Sequence, residues 1–331
     1  MVIFTKTHPR RRVITTKWGK EKNVMKGFFS NTWKNRAHVV LALPAFLVLL
    51  LFAYMPMFGL VIAFKQFDYT KGILGSSWNF PDNFKLLVVN KDKFLTITKN
   101  TIMYYFIFTL VGTFLNIVLA ISIDQFVFKN AGRVMQTIMI IPVFISYAAV
   151  SFVVYAFLSK SPAGIVNGTI LPLFGGEIKS FYQKASYWPW ILTIVNIWHG
   201  VGYGSVLYMS VLAGIDQELY EAAKIDGANK WQQIWNITLP MLVPMVTVML
   251  LLSVGGIMRS DTGLFYTVTR NIANLHSKTQ TIDAFVLNQL LNNPNYGLTA
   301  ATTFFQSVVG LFMMLLSNGI VRKMAPQNSL F

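Results

Sequence analysis

The sequence predicts an all-α membrane protein with six transmembrane helices and a basic N-terminal extension over residues 1–38. Its 331 residues are 54% hydrophobic and only 12% charged, whereas about a quarter of the residues in an ordinary soluble domain are charged. Six long stretches carry no charged side chain and are long enough to cross a bilayer as helices. The chain has no cysteine, which excludes a disulfide framework, a thiolate metal site and a thiol nucleophile.

The N-terminal extension carries a large share of the formal charge of +16. Ten of the 28 Lys and Arg residues precede Val39, and the others flank apolar stretches, as is typical of a membrane protein held against anionic lipid. The pattern of a basic groove interleaved with aromatic residues is missing, so nucleic acid is not expected as a partner. Segment 26–36, KGFFSNTWKNR, is predicted to form an interfacial helix.

The six apolar stretches define the spans of one transmembrane domain, residues 39–331. In chain order they are Val39–Phe64, Thr101–Ile123, Val134–Leu158, Trp188–Leu212, Leu239–Met258 and Leu298–Val321. Basic residues at 10–12, 34 and 36 place the N-terminus in the cytoplasm. Loops 124–133 and 213–238 and the C-terminal tail are then cytoplasmic, and loops 65–100, 159–187 and 259–297 face outward.

The apolar stretches contain few side chains that could carry out catalysis. An intramembrane protease would need a nucleophile beside a base, and the one pair near each other in sequence is His199 with Ser205. These two positions point to different faces of a helix, and Ser205 lacks the following glycine of the usual rhomboid-protease motif. His199 has no second histidine or carboxylate at i+3 or i+4, so no metal site is predicted. The chain is therefore not expected to be an enzyme.

Ion-coupled transport without an ATPase is the main alternative function. A proton-coupled carrier usually keeps carboxylates inside its spans, and here the deepest carboxylate is Asp124, at a span edge. The sequence does not exclude a sodium site built from backbone carbonyls. The chain also has no phosphate-binding loop, since its one Gly-Lys pair at 19–20 is followed by Glu21. Any ATP that drives the protein must bind elsewhere.

The cytoplasmic loop at about 213–240 is longer and more polar than a connector requires. Residues 215–226 predict a short helix, capped by Asp216, with Leu219, Ala222, Ala223 and Ile225 able to bury one face. Gly227 favours a turn with positive φ at the helix end. A second short helix is predicted over 229–236, before the next span opens at Leu239-Pro240.

This loop resembles the cytoplasmic EAA loop of permease subunits from binding-protein-dependent ABC importers. The family spacing is matched in register, and the Asp-Gly-Ala sequence of the sugar-importer variant is present; the matching residues are Glu221, Ala222, Ala223, Asp226, Gly227, Ala228, Ile237, Leu239 and Pro240. Ile234 departs from the pattern, where phenylalanine is common. The competing interpretation is an amphipathic connector without a partner.

The resemblance implies a type I ABC importer permease fold and a set of partners. In the family, the short helix of the loop docks on an ATPase subunit and passes its closure to the spans. The expected partners are a second related permease in a heterodimer, two ATPase subunits, an extracytoplasmic solute-binding protein, a sugar substrate and membrane lipid. No cofactor is expected on this chain, because the partner ATPase uses ATP and Mg²⁺. The expected location is a bacterial cytoplasmic membrane.

Further segments look like permeases of oligosaccharide importers, including those for alginate. These segments are 55–69, 263–271 and 304–323. By similarity to the permease of the maltose importer, the expected substrate-pathway residues are Asn196, His199, Gly200, Tyr203, Ser253 and Ser260. Asn196, Gly200 and Tyr203 fall at i, i+4 and i+7 of one helix face. The competing interpretation is ordinary packing with hydrogen bonds between helices.

The outward loops carry a positive balance that bears on the substrate. They hold twelve basic and six acidic residues, a net charge of +6, which would raise the local concentration of an anionic sugar. A uronate oligosaccharide such as alginate is therefore favoured over a neutral one, and Arg259 is a candidate contact. An alternative role for these charges is contact with lipid headgroups or with the binding protein.

Overall fold

The computed structural model describes residues 36–89, 91–125, 129–160 and 164–324. Most of the N-terminal extension, including the helix predicted around 26–36, therefore lies outside the described residues. The described residues up to Gly59 form one compact unit, and those from Leu60 onward form another. The α-helices are α1 Arg36–Leu49, α2 Gly72–Gly75, α3 Asp82–Val89, α4 Lys91–Asp124, α5 Lys129–Ile140, α6 Tyr147–Leu158, α7 Leu171–Leu173, α8 Trp188–Leu212, α9 Gln217–Ile225, α10 Lys230–Gln233, α11 Leu239–Val254, α12 His276–Thr279, α13 Ile282–Asn292 and α14 Tyr296–Met324.

Shorter elements connect these helices. The π-helices are Leu50–Tyr54, Val166–Ile170, Ile234–Thr238 and Gly263–Val268, and the 3₁₀-helices are Met55–Phe64, Ile141–Phe144, Phe181–Gln183, Ala185–Tyr187 and Ala273–Leu275. An antiparallel ribbon of two short strands, β1 Lys65–Gln66 and β2 Ser77–Trp78, is the only sheet in the described ranges. The architecture is helical, as the sequence predicts.

Four continuous helical segments of the described chain are long and apolar enough to cross a membrane. They are Arg36–Phe64, Lys91–Asp124, Lys230–Val254 and Tyr296–Lys323. They include the first, second and sixth predicted spans and most of the fifth, which was predicted to run to Met258 but ends as a helix at Val254. Helix α4 starts ten residues before the predicted Thr101. The fourth predicted span is one helix, α8, with the predicted bounds. It is less apolar than the four, because polar and small residues interrupt its hydrophobic sequence.

The third predicted span, Val134–Leu158, is not one continuous helix. Its two halves, Asn130–Phe144 and Tyr147–Leu158, meet at an angle of 99°. Pro142 has no backbone N–H for a helix interior, and Ile145 and Ser146 adopt extended backbone angles. The Ser146 side chain then accepts a hydrogen bond from the Ala149 amide at 3.4 Å and starts α6. Counted as one span, the bent pair makes five.

The core of the second unit lies between α4, α6, α8 and the π-helix at 263–268. Trp188, Leu192 and Leu264 are fully buried there with Tyr104. Helices approach closely where glycine replaces a side chain: a Cβ on Gly202 of α8 would lie 1.8 Å from the Met139 carbonyl oxygen at the end of α5. Small residues allow such backbone contact between membrane helices.

Candidate functional site

The loop between α8 and α11 has the predicted helix and turn. Helix α9 begins after Asp216, whose side chain accepts a hydrogen bond from the Glu218 amide at 3.0 Å. Gly227 has a φ of +83°, and the Ala228 amide donates to the Ala223 carbonyl at 2.8 Å. The Gly227 amide donates to the Lys224 carbonyl at 3.1 Å. These two bonds form a Schellman motif, which ends α9 and turns the chain sharply.

The segment after the turn is tied back to α9. Asn229 and Gln232 form a capping box at the start of α10, where the second short helix was predicted. The Gln233 side chain donates to the Ala228 carbonyl at 3.1 Å. The hydroxyls of Tyr220 and Thr238 lie 3.0 Å apart and share a hydrogen bond. Leu239 and Pro240 then open α11. Helix α9 is therefore bonded to the base of α11.

The surface of α9 is open to its surroundings. None of its nine residues is buried, so the face that the sequence makes available for burial is not covered by the described part of the chain. Ile225 is 86% exposed and Leu219 42% exposed, because no described element covers that side. Glu221, Ala222 and Asp226 are exposed as well, and Ala223 is half-buried. The predicted loop residues thus form a bare patch with apolar and acidic side chains.

A cavity of about 330 Å³ lies between α4, α8 and α11 and collects four of the predicted substrate residues. Asn196, His199, Gly200 and Ser253 line it. Other lining residues come mainly from α4 and α8: Phe108, Thr109, Gly112, Thr113, Asn116, Tyr147, Ile197, Val201, Gly204, Leu207, Tyr208, Met249 and Leu250. Hydroxyl, amide and imidazole groups share the wall with three glycines, so the cavity can hydrogen-bond a polar solute.

Two of the predicted side chains are held by neighbours. The His199 ring nitrogen Nε2 lies 3.0 Å from the Ile145 carbonyl oxygen, and the ring stacks on Tyr147 at 4.5 Å between centroids. Because a carbonyl only accepts, His199 donates through Nε2. The Ser253 hydroxyl lies 2.9 Å from the Tyr105 hydroxyl and donates to the Leu250 carbonyl at 2.8 Å. The bend before α6 thus positions an imidazole on the cavity wall.

Three further predicted residues lie outside the cavity lining. Tyr203 is 60% exposed, because it is rotated about 100° from Gly204, which faces the cavity. The Ser260 amide and hydroxyl both donate to the Asp283 carboxylate, at 2.6 and 3.1 Å. Arg259 is exposed, and its backbone amide donates to the Gly256 carbonyl at 2.8 Å. Substrate contact by these three residues stays a prediction.

Sequence reasoning missed the part of the cavity that other helices supply. Asn116 of α4 packs its amide where a Cβ on Gly204 would lie, 2.5 Å from Nδ2. Tyr147 comes from the bent third span, and Tyr208 follows the predicted residues on α8. A polar amide at Asn116 within an apolar stretch could have indicated a cavity-lining residue, but nothing in the sequence places Asn116 opposite Gly204.

The nucleophile and base of the protease alternative do not meet. The Ser205 hydroxyl is buried and donates to the Gly202 carbonyl of its own helix at 2.7 Å. His199 bonds the Ile145 carbonyl instead. No hydrogen bond joins Ser205 to His199, so the pair lacks the contact that activates a serine nucleophile.

Membrane-length helices around a polar, glycine-lined cavity form the architecture of a solute permease. Residues 109–326 match the family described as binding-protein-dependent transport system inner membrane component. The chain belongs to this family, which confirms the resemblance inferred from the EAA loop. Members of this family that the chain resembles are permease subunits of transporters and not enzymes.

The curated relatives include transport proteins of Bacillus subtilis (strain 168). Protein LplB is 30% identical over 284 residues, covering 86% of this chain and 88% of that protein. The polygalacturonan/rhamnogalacturonan transport system permease protein YteP is 28% identical over 284 residues, covering 86% of this chain and 87% of that protein.

Solved structures also resemble the chain. A bacterial ABC transporter involved in the import of the acidic polysaccharide alginate contains a chain with a TM-score of 0.80 and 29% identity, covering 90% of this chain and 99% of that one. The alginate transporter in complex with an alginate pentasaccharide-bound periplasmic protein gives a TM-score of 0.79 at 29% identity, covering 89% and 97%. The type I permease fold class is thereby confirmed.

Proposed function

We propose that this chain is one permease subunit of an ATP-driven importer that moves an oligosaccharide across the cytoplasmic membrane by alternating access. The observation that carries this function is the glycine-lined cavity, whose amide, hydroxyl and imidazole groups suit the hydroxyls of a sugar. The relatives named for polygalacturonan/rhamnogalacturonan transport and for alginate import support a sugar as substrate and favour an acidic one.

Within the cavity, Asn196 and Ser253 would hydrogen-bond sugar hydroxyls, and Gly200 would leave room for the ring. His199, stacked on Tyr147, would present an aromatic edge. Tyr203, Arg259 and Ser260 would meet the sugar outside the cavity, where Tyr203 is exposed.

The bare patch on α9 would receive an ATPase subunit. Its apolar side chains, Leu219 and Ile225, are exposed, and exposed apolar patches on folded proteins mark interaction sites. Glu221 and Asp226 would pair with basic groups, while the small Ala222 and Ala223 permit close approach. Because Tyr220 of α9 is hydrogen-bonded to Thr238 at the base of α11, just before Leu239 and Pro240, movement of the ATPase would pass directly to the spans.

The complete transporter would hold this chain in a heterodimer with a second related permease, together with two ATPase subunits and a solute-binding protein. The alginate transporter solved with its periplasmic protein supports the last of these partners. ATP and Mg²⁺ would bind the ATPases. The location would be the inner membrane of a bacterium, with membrane lipid around the spans and the N-terminus in the cytoplasm.

The docking role is tested by co-purification of the ATPase with Ile225→Asp. A charge at Ile225, which ends α9 and is 86% exposed, should cut the amount of bound ATPase at least about tenfold, because charging an anchor that an interface buries costs about 2 kcal/mol or more. Ile178→Asp is the matched control, since Ile178 is also exposed, at 55%, in a loop expected to face outward.

Both variants should retain the thermal stability of the wild-type chain, because neither isoleucine is buried. Equal recovery of ATPase with wild type, Ile225→Asp and Ile178→Asp would contradict docking on α9. Loss with both variants would point to a defect in membrane insertion instead.

A further inference from the structure

A second recess lies beyond the cavity, between α6 and the π-helix Gly263–Val268. It has a volume of about 510 Å³, and its lining residues are Ala148, Ser151, Phe152, Tyr266, Thr267, Arg270 and Asn271. On α6 it begins at Ala148, the residue after Tyr147 of the cavity wall. We call it the outer groove. Its size lies within the range of ligand pockets, about 300–1,000 Å³.

Arg270 brings a cation with free hydrogen-bonding capacity to the outer groove. The guanidinium carbon lies 4.4 Å from the centre of the Tyr155 ring, a cation–π contact that fixes the side chain. Among the described residues, the ion pairs within 4.0 Å are Lys71–Asp68 and Lys85–Asp82, so Arg270 has no carboxylate partner there. The exposed guanidinium therefore keeps N–H donors for an external anion.

The backbone at this point is held in a conformation that side chains other than glycine rarely adopt. Arg270 has a φ of +56° and Asn271 of +48°. Asparagine tolerates the left-handed region, but for a long side chain such as arginine it costs about 1 kcal/mol or more. Such strain persists only where surrounding contacts impose it, and it concentrates at binding sites.

Contacts on three sides impose this turn. The Asn271 amide donates to the Tyr266 carbonyl at 3.0 Å. The Asn271 side chain donates to Asn288 Oδ1 at 2.9 Å and accepts from the His276 ring at 3.0 Å. These bonds connect the turn after the π-helix to α12 and α13, so the surrounding fold, and not the backbone preference of arginine, holds Arg270 in this conformation.

The remaining groups in the outer groove suit a carbohydrate. Ser151, Thr267, Asn271 and Tyr266 supply hydroxyls and an amide, and Phe152 presents an aromatic ring that is 71% exposed. A lipid tail would leave these polar groups without partners. The cavity itself is lined by no lysine or arginine among the described residues. A carboxylate on the sugar therefore needs its counter-charge elsewhere, and the outer groove has one.

From these observations we infer that the outer groove is a binding subsite for an acidic sugar unit, with the Arg270 guanidinium paired to its carboxylate. The inference rests on the proposed function and adds the subsite that selects charge. A guanidinium fork matches a carboxylate in two parallel hydrogen bonds, while the phenyl ring of Phe152 would cover the apolar face of the sugar.

The test is uptake by the complete transporter in proteoliposomes, with binding protein supplied on the outer side. The probes are trigalacturonate and its methyl ester, which share a ring skeleton and differ in charge. Arg270→Gln should lower kcat/KM for trigalacturonate about tenfold, because it removes one charge-assisted contact, and should change uptake of the ester less than twofold. Arg270→Lys should lower kcat/KM for trigalacturonate about threefold, since lysine keeps the positive charge but cannot form the two parallel hydrogen bonds of a guanidinium.

Lys278→Gln is the control for net charge, because Lys278 is an exposed cation of the same expected outward loop and lies outside the outer groove. Lys278→Gln should leave kcat/KM for both probes within about twofold of the wild-type value. An equal loss for both probes with Arg270→Gln would overturn the inference and assign Arg270 to folding or to contact with the binding protein. ATP-driven uptake of the ester alone by wild type would also overturn it, while leaving the proposed function intact.

Discussion

Two glycines of α8, Gly200 and Gly202, stand two positions apart and have opposite surroundings. A Cβ on Gly200 would meet nothing within 4 Å, whereas one on Gly202 would lie 1.8 Å from the Met139 carbonyl oxygen. Gly200 lines the cavity and Gly202 is buried against α5. The same substitution at the two sites therefore separates the space available to a solute from the packing of the helices.

We expect Gly202→Ala to destabilise the protein by about 2–3 kcal/mol, because the added methyl group forces two backbones apart. Gly200→Ala should keep the wild-type melting temperature and lower sugar uptake about tenfold, since one methyl group in a binding pocket changes discrimination by that order. Thermal melting in detergent and uptake in proteoliposomes measure the two effects. A stable Gly202→Ala protein would contradict the close contact of α8 with α5.

The residue patterns on α9 were informative because they are local. Asp216 as a cap and Gly227 as the left-handed terminator depend on neighbours within a few positions, and both are observed. Asn116 and Tyr147 were missed because their roles depend on which helices meet in space. Tyr203 was placed on the right helix, but the cavity faces the side of Gly204 and leaves Tyr203 exposed.

At the scale of elements, the bend in the third span shapes the site. Pro142 was visible in the sequence, yet a proline in a membrane span is compatible with a modest kink. The 99° turn arises because Ile145 and Ser146 leave the helical conformation together. The turn brings the Ile145 carbonyl to His199 and the Tyr147 ring beneath it. Periodicity alone could not predict this arrangement.

The turn at Arg270 and Asn271 joins the π-helix to α12 and α13 through His276, which gives a pH-dependent prediction. Burial lowers the pKa of His276 below its ordinary value of 6.5, and the nearby Lys93 lowers it further. As the pH falls below 6.5, the unfolded chain binds a proton more readily than the folded one, so stability is lost.

We therefore expect the melting temperature of the wild-type chain to fall between pH 7.5 and pH 5.5. His276→Gln should show a smaller fall over the same range, since glutamine keeps a donor for Asn271 and does not titrate. Melting curves at the two pH values measure the difference. An equal fall for wild type and variant would mean that other groups cause the pH dependence.

At the scale of the whole molecule, composition was sufficient to predict a helical membrane protein. Four predicted spans are continuous apolar helices, and α8 has the predicted bounds. Asn196 and His199, which lower the hydropathy of α8, also line the cavity. What composition could not supply is the pairing of α4 with α8, which assembles the cavity from segments distant in sequence.

The proposed coupling of solute movement to an ATPase would account for both the open patch on α9 and the cavity. Helix α9 is bonded to the base of α11 through Tyr220 and Thr238, and Ser253 near the other end of α11 lines the cavity. In the proposed function, a displacement imposed on α9 would therefore reach the cavity along α11. The proposed function requires this coupling.

The most direct test is uptake of a sugar by proteoliposomes that hold this chain, its second permease and the ATPases, with loaded binding protein outside. Wild type should import sugar only when ATP is inside, and Glu221→Ala should reduce both ATP hydrolysis and uptake at least about fivefold while the proteins still insert. Uptake without ATP, driven by a sodium or proton gradient and unchanged in Glu221→Ala, would contradict coupling to an ATPase and indicate an ion-coupled carrier.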